Sequence, residues 1–96
     1  MLRITNWPLS LYRVSGESMF PTFNDGDTLL GFRWFRPQVD QVVVANVDGR
    51  PVIKRVAAIS RQSITLLGDN PAHSIDSRTY GDINMDKLIA KIIAKL

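Results

Sequence analysis

The sequence has 96 residues, of which 45% are hydrophobic and 22% are charged, so it is long enough for one small globular domain and too short for two. It contains no cysteine, which excludes disulfides, thiolate zinc sites and a cysteine nucleophile. The formal net charge of +3 is too small to indicate a nucleic-acid partner. We therefore expect a single domain over residues 1–96 that binds no nucleic acid.

The first stretch, MLRITNWPLSLYRV, is too short and too polar to cross a membrane. A membrane span needs about 20 apolar residues, and Asn6, Pro8 and Arg13 interrupt this one. The same interruptions argue against a secretory signal. We therefore expect a soluble, cytoplasmic protein without a transmembrane anchor.

Short apolar runs separated by turn residues follow, which is typical of a mostly β domain. The pattern predicts five strands: LYRVSG (11–16), TLLGFRW (28–34), QVVVANV (41–47), VIKRVAAI (52–59) and SITLLG (63–68). NDGD at 24–27 and DGRP at 48–51 predict tight turns before the second and fourth of these strands. A loop rich in turn formers, DNPAHSIDSR at 69–78, comes after the fifth strand.

The C-terminal segment KLIAKIIAKL fits two kinds of secondary structure. One set of its apolar residues recurs with helical spacing: Leu88, Ile89, Ile92, Ile93 and Leu96. Another set alternates as the residues of a strand do: Leu88, Ala90, Ile92, Ala94 and Leu96. Periodicity alone favours the helix.

Ser18 is the first candidate for chemistry, since it lies between two predicted strands in GESMFPTFNDGD. One interpretation is an ordinary loop hydroxyl in a turn that contains Gly16, Pro21 and Gly26. The other is a nucleophile on a bent backbone whose N–H groups stabilise an oxyanion. The second interpretation requires a base elsewhere in the chain.

Histidine or lysine could supply that base. The only histidine, His73, lies in the polar loop with Asp76 nearby, and a loop histidine is more often solvated than catalytic. Lys54 lies in the middle of an apolar strand, next to Arg55. Because successive side chains of a strand point to opposite faces, either one of these two faces inward or the strand lies at an edge. Spacing alone favours an edge strand with both side chains in water.

Four motifs, in this order, resemble the characteristic boxes of the signal peptidase I superfamily of Ser/Lys endopeptidases: SGESMFPT (15–22), GD (26–27), VIKRV (52–56) and GDNPAHSIDSRTYG (68–81). The last box is long, which makes the resemblance specific. The chain's length and its Gly-Glu-Ser-Met box most resemble the small soluble proteases that remove the propeptide of nickel-containing superoxide dismutase.

The resemblance implies roles for the residues that match these boxes. Ser18 would be the nucleophile and Lys54 the general base. Ser74 would orient the lysine amine with its hydroxyl. Asp76 and Arg78 would form an ion pair that holds the loop of residues 69–78, the late loop, against the dyad of Ser18 and Lys54.

Two departures from the family concern the oxyanion hole. Gly16 stands where many relatives have a serine, so a backbone N–H or a water must supplement the N–H of Ser18. Glu17 stands where many relatives have glycine, which places a carboxylate beside the developing negative charge. Met19 would pack beside the nucleophile and help to keep Lys54 dry.

The implied fold is mostly β, the coiled antiparallel sheet of the signal peptidase I and LexA-like catalytic core, in which the C-terminal segment is a strand. The implied function is a serine endopeptidase that removes an N-terminal leader or propeptide, for example from the nickel superoxide dismutase precursor. The precursor would bind in extended form. Weak contact with a membrane surface belongs to this expectation, and no cofactor and no metal site are indicated.

Two alternatives remain open at this point. A LexA-type domain shares a Ser-Met box and a strand lysine but cleaves its own upstream segment. A non-enzymatic basic β-barrel would bind nucleic acid through GFRWFRP at 31–37, where aromatic residues and arginines alternate. The plainer interpretation of that stretch is a strand with a solvated arginine face and two buried aromatic residues.

Overall fold

The computed structural model describes residues 7–96, which form seven strands, one short helix and two 3₁₀ turns. The strands are β1 Leu9–Arg13, β2 Thr28–Phe32, β3 Val42–Val47, β4 Arg50–Ile59, β5 Ser63–Leu67, β6 Ile83–Asn84 and β7 Leu88–Lys95. The helix α1 is Ser77–Tyr80, and the 3₁₀ turns are Pro71–His73 and Met85–Lys87. The prediction of a mostly β fold is confirmed.

All seven strands belong to one antiparallel sheet, in the order β1-β2-β7-β3-β4-β5-β6. Each of the five predicted strands is present, although the first begins at Leu9 and ends at Arg13. β4 pairs with β3 on one side and with β5 on the other. The strand that carries Lys54 is therefore interior, and the prediction of an edge strand is wrong.

Glycine and aspartate form the two predicted turns. In the hairpin between β3 and β4, Asp48 and Gly49 have φ values of 52° and 80°, and Val47 pairs with Arg50. Two successive residues with positive φ are what a two-residue hairpin turn requires. In the NDGD turn, Gly26 has a φ of 88°. Both turn predictions are confirmed.

The C-terminal segment is the strand β7, which lies between β2 and β3. Its register skips one residue against each neighbour: Ala90 and Leu88 pair with successive residues of β3, and Ala94 and Ile92 pair with successive residues of β2. The extra residues in these bulges are Ile89 and Ile93. They are the residues that created the helical spacing, so the helix favoured by periodicity is wrong and the strand implied by the resemblance is confirmed.

A cluster of buried apolar side chains joins β3, β4 and β5. Its members alternate along their strands and are Val43, Ala45, Val56, Ile64 and Leu66. Burying a Val, Leu or Ile side chain contributes roughly 1.5–3 kcal/mol, so the cluster fixes these strands to one another. Lys54 pairs with Val43 across the sheet and lies two residues from Val56, which puts its side chain on the same buried face.

The arginine and aromatic residues of GFRWFRP lie partly outside β2, which ends at Phe32. Trp34 is 62% exposed as a residue, and its ring meets the ring of Phe32 edge-to-face at a centroid distance of 6.4 Å. Phe35 packs against the core cluster. The expectation of two buried aromatic residues in a strand therefore does not hold for Trp34.

Within residues 7–96, no helix has both the length and the apolar character that a membrane span requires. Of the three interruptions in the first stretch, Asn6 lies outside the described residues. Pro8 precedes β1, and Arg13 is its last residue.

Candidate active site

Ser18 lies on the loop between β1 and β2, and backbone hydrogen bonds join the two ends of this loop. The N–H of Val14 donates to the carbonyl of Asp27, and the N–H of Gly26 donates to the carbonyl of Val14, each at 2.8 Å. A loop closed in this way holds its apex in a defined place. Ser18 itself is half-buried there.

Two backbone N–H groups near the apex have different surroundings. The N–H of Gly16 donates to Asp25 Oδ1 at 2.7 Å, and its φ of 87° favours glycine at this position. This N–H is therefore already occupied. The N–H of Ser18, in contrast, has no hydrogen-bond partner among residues 7–96, so it can bind an acceptor that enters the site.

Lys54 reaches the serine from the neighbouring interior strand. Its Nζ donates a hydrogen bond to Ser18 Oγ at 2.9 Å, and the residue is only 6% exposed. Met19, which is 1% exposed, lines the same cavity as Ser18 and Lys54. The lysine amine therefore meets the serine hydroxyl in a largely dry setting.

Burial lowers the pKa of Lys54 below its ordinary value of 10.5, because a charged ammonium is poorly solvated there. The carboxylate of Asp76 partly opposes this shift by favouring the charged form. The net direction increases the fraction of neutral amine near neutral pH. A neutral amine beside a hydroxyl can accept its proton.

Asp76 is fully buried and collects the hydrogen bonds of the late loop. It accepts from the N–H of Gly68 at 2.8 Å, from Ser74 Oγ at 2.7 Å, and from the backbone N and the guanidinium of Arg78. Mainly because of Arg78, the pKa of Asp76 lies well below its usual range. The structure thus brings the expected ion pair together beside the site.

The Ser74 hydroxyl donates to Asp76, and no hydrogen bond joins it to Lys54 within the described part of the chain. The resemblance implied that this hydroxyl orients the lysine amine. In the structure, Asp76 is the group that links the two, since it binds Ser74 directly and acts on Lys54 through its charge.

Two residues of the GDNPAHSIDSRTYG motif, Gly68 and Asn70, contact the loop that carries Ser18 (the serine loop). The sequence analysis assigned neither of them a role. The backbone N–H of Asn70 donates to the carbonyl of Ser18 at 2.8 Å, and its side-chain amide donates to the carbonyl of Glu17 at 3.1 Å. A Cβ at Gly68 would lie 2.7 Å from the Ser18 carbonyl and 2.5 Å from Ser74 Cβ. Only glycine permits this approach of the two loops.

A third neglected residue, Asp69, joins three elements. It accepts from Arg55 Nε at 2.8 Å and Nη2 at 2.7 Å, and from Thr22 Oγ1 at 2.6 Å. The hydrogen bonds from Arg55 lower the pKa of Asp69. Arg55 also donates to the carbonyl of Asp40 at 2.7 Å. The Gly-Asp-Asn part of the motif is the only feature of the sequence that could have indicated this link between β4 and the serine loop.

His73 is exposed, and its side chain makes no hydrogen bond to Ser18 or Lys54. His73 lines the same surface groove as Ser18 and Lys54, but the side chain that is hydrogen-bonded to the serine hydroxyl is the lysine. In residues 7–96, no three His, Asp or Glu side chains are grouped so that they could hold a metal ion.

Two cavities open beside the serine and the lysine. One, of about 120 Å³, has a mixed lining, in which the polar residues Arg13 and Ser15 lie beside the apolar residues Val14, Met19, Val52 and Ile53. The other is a groove of about 370 Å³ that extends along the late loop. An extended peptide crossing Ser18 could place neighbouring side chains in both.

Comparison with known proteins identifies the family of the chain. The Peptidase S24-like family matches residues 4–93. The mitochondrial inner membrane protease subunit 1 of Schizosaccharomyces pombe is 34% identical over 122 residues, which covers 98% of this chain and 77% of the relative. Since the alignment is longer than this chain, the relative carries insertions that the chain lacks. Together with the motifs, these similarities show that the chain is a peptidase of the S24-like family, within the signal peptidase I superfamily.

Proposed function

We propose that this chain is a serine endopeptidase in which Ser18 attacks the peptide bond and Lys54 is the general base. The observation that carries the proposal is the 2.9 Å hydrogen bond between Lys54 Nζ and Ser18 Oγ. An exposed lysine would keep its proton near neutral pH. Burial, which lowers the pKa of Lys54, supplies the neutral amine that the reaction needs.

In each half of the reaction the same amine first takes a proton and then gives it up. Neutral Lys54 takes the proton of Ser18 Oγ while Oγ bonds to the carbonyl carbon. When the tetrahedral intermediate collapses, the C–N bond breaks and the Lys54 ammonium gives its proton to the leaving amine. The amine then takes a proton from a water as that water attacks the acyl ester. When this second intermediate collapses, the ester C–O bond breaks and the Lys54 ammonium returns the proton to Ser18 Oγ.

The unpaired N–H of Ser18 supports a role as a donor to the oxyanion. The N–H of Gly16 does not serve as the second donor, because Asp25 already binds it. We assign the second position to a water molecule or to another N–H of the loop. Loss of one oxyanion donor costs roughly 100-fold in kcat or more, so the site depends on this arrangement.

The substrate that we propose is a precursor protein from which an N-terminal leader or propeptide is removed. The relative from Schizosaccharomyces pombe is a protease subunit of the mitochondrial inner membrane, and this supports a processing role. The cavity of about 120 Å³ beside Ser18 suits a small side chain before the cleaved bond. The nickel superoxide dismutase precursor stays a prediction of the motif resemblance alone.

The test is cleavage of a fluorescence-quenched, alanine-rich peptide by the wild type and by Ser18→Ala. We expect Ser18→Ala to lose cleavage and to keep its melting temperature, since a loop hydroxyl contributes little to folding. Ser60→Ala, at an exposed serine outside the site, is the matched control and should cleave normally. Full activity of Ser18→Ala would place the nucleophile elsewhere. A shortened chain after incubation of the protein alone would favour the LexA-type, self-cleaving alternative.

A further inference from the structure

The wide groove beside the dyad differs from the small cavity in both size and lining. The two share Ser18 and Lys54, but the groove also contains Asp48, Ile75 and Tyr80. Its volume of about 370 Å³ compares with about 120 Å³ for the small cavity. An apolar cavity of about 150 Å³ can hold benzene, so the groove has room for a large side chain.

Ile75 is an apolar wall of this groove, and it is 72% exposed. A single exposed isoleucine is ordinary on a protein surface. This one, however, stands between Ser74 and Asp76, which the hydrogen-bond network fixes beside the dyad. Because Ile75 buries little on folding, a bound apolar side chain would cover surface that the fold leaves in water.

Tyr80 carries an unpaired polar group at the same groove. Its hydroxyl is buried and has no hydrogen-bond partner within the described residues. A buried hydroxyl without a partner lowers stability relative to a paired one, so a ligand that supplies an acceptor gains from binding it. Tyr80 lines this groove and also a third cavity, of about 230 Å³, so open space lies beside its side chain, and its hydroxyl has no hydrogen bond to break.

The groups around Tyr80 determine which kind of hydrogen-bond acceptor its hydroxyl can bind. Burial and the carboxylates of Asp76 and Asp48 raise the pKa of Tyr80, so the hydroxyl keeps its proton and acts as a donor. The groove also contains Arg50 and Glu17, so cations and carboxylates both line it and neither sign of charge dominates. A neutral carbonyl oxygen, as in a peptide bond, therefore fits this donor best.

We propose that the groove is a second substrate subsite, which holds a large apolar side chain that follows the cleaved bond, packed against Ile75, while the Tyr80 hydroxyl donates to a nearby peptide carbonyl. This inference rests on the proposed function. With a small residue before the bond in the small cavity, the chain that continues past Ser18 enters the groove.

The side-chain part of the proposal is tested with two quenched peptides that are alanine-rich before the cleaved bond and carry either leucine or alanine at the two positions after it. We expect the wild type to prefer leucine by about tenfold in kcat/KM, the value of one buried side chain. Ile75→Ser should abolish this preference at an unchanged melting temperature. Ile59→Ser, at a partly exposed isoleucine outside the groove, should retain it. Retention of the preference by Ile75→Ser would overturn this part.

The hydrogen-bond part is tested with Tyr80→Phe. Removing an unpaired buried hydroxyl should leave the melting temperature unchanged or raise it, while KM for the leucine peptide rises about fivefold. Tyr12→Phe, at the other tyrosine of the chain, should leave KM unchanged. An unchanged KM in Tyr80→Phe would show that the hydroxyl does not contact substrate.

Direct binding separates this proposal from the proposed function. The affinity of the leucine peptide is measured on Ser18→Ala and on Ser18→Ala combined with Ile75→Ser or Tyr80→Phe. Weaker binding in the combined variants supports the subsite, and equal binding overturns it. Cleavage by Ser18→Ala would instead contradict the proposed nucleophile and leave the binding comparison valid.

Discussion

Lys54 Nζ lies 2.9 Å from Ser18 Oγ although 36 positions separate the two residues in the sequence. The buried face of β4 fixes the lysine, and Asn70 holds the serine loop by the Ser18 carbonyl. Neither contact is local, so the geometry of the pair depends on the pairing of the whole sheet. Changes at Lys54, at its neighbours and at the loop contact therefore give separate tests of the site.

The first prediction concerns the pH dependence of cleavage. Burial lowers the pKa of Lys54, and the base is active only as the neutral amine, so kcat/KM should rise with pH in one step whose midpoint lies below 10.5. The measurement is the pH profile of kcat/KM. His73→Ala should show the same midpoint, because His73 is exposed and makes no bond to the pair. A step that disappears in this variant would assign the base to histidine.

Asp76→Asn should lower both the free energy of unfolding and the midpoint of the pH profile of kcat/KM. Asp76 is buried and accepts hydrogen bonds from Gly68, Ser74 and Arg78, which one amide oxygen cannot replace. We expect a loss of about 2–4 kcal/mol in the free energy of unfolding, because Arg78 is 44% exposed and water compensates part of the change. Since the Asp76 charge raises the pKa of Lys54, its removal should move the activity midpoint to lower pH.

The pH dependence of stability gives this variant a second measurement. The depressed pKa of Asp76 means that its contribution is complete above the ordinary carboxyl range and is lost as the pH falls through the depressed value. Urea unfolding should therefore show the largest difference from wild type near neutral pH and a smaller one in acid. Asp86→Asn, at an exposed carboxylate, serves as the control. A constant difference at every pH would show that the charge is not responsible.

Gly68→Ala should damage the site by steric contact. The new Cβ would press against Ser74 and against the carbonyl of Ser18. Overpacking of this kind costs roughly 1–3 kcal/mol, and displacement of a reacting group by about 1 Å can cost about 100-fold in rate. We expect a fall of that order in kcat, measured well below the melting temperature. Gly49→Ala meets no atom within 4 Å and should lower stability without lowering kcat. Equal kcat in the two variants would contradict the packing argument.

The motifs predicted Ser18 and Lys54 as partners because the residue types of a motif, and their order, can be read from the sequence alone. The burial of Lys54 was not predictable from spacing, since it depends on the pairing of β4 with both β3 and β5. The nature of β7 was obscured because its bulges add Ile89 and Ile93 to an otherwise alternating strand. Hydrogen bonds between distant residues, such as Thr22 with Asp69, leave no periodic signal at all.

The last prediction tests the base by replacing Lys54 with arginine or methionine. Arginine keeps the charge but does not release its proton, so Lys54→Arg should lose cleavage. Lys54→Met should also lose cleavage, yet it removes a poorly solvated amine from a buried position. Because the pKa of Lys54 is lower in the folded state, the unfolded chain binds more protons and wild-type stability rises as the pH approaches 10.5. Methionine should therefore increase the free energy of unfolding near neutral pH and remove this rise.

Kinetics and urea unfolding of the two variants separate a base from a structural lysine. If Lys54 only filled space, Lys54→Met would retain much of the activity. If Lys54 only supplied charge, Lys54→Arg would retain it. If it is the base, both variants are inactive while methionine unfolds at higher urea than wild type, because the amine is kept buried at a cost to stability. An active Lys54→Arg beside an inactive His73→Ala would overturn the Ser18–Lys54 assignment. A destabilised Lys54→Met would show instead that the amine contributes favourably to the fold through its bond to Ser18.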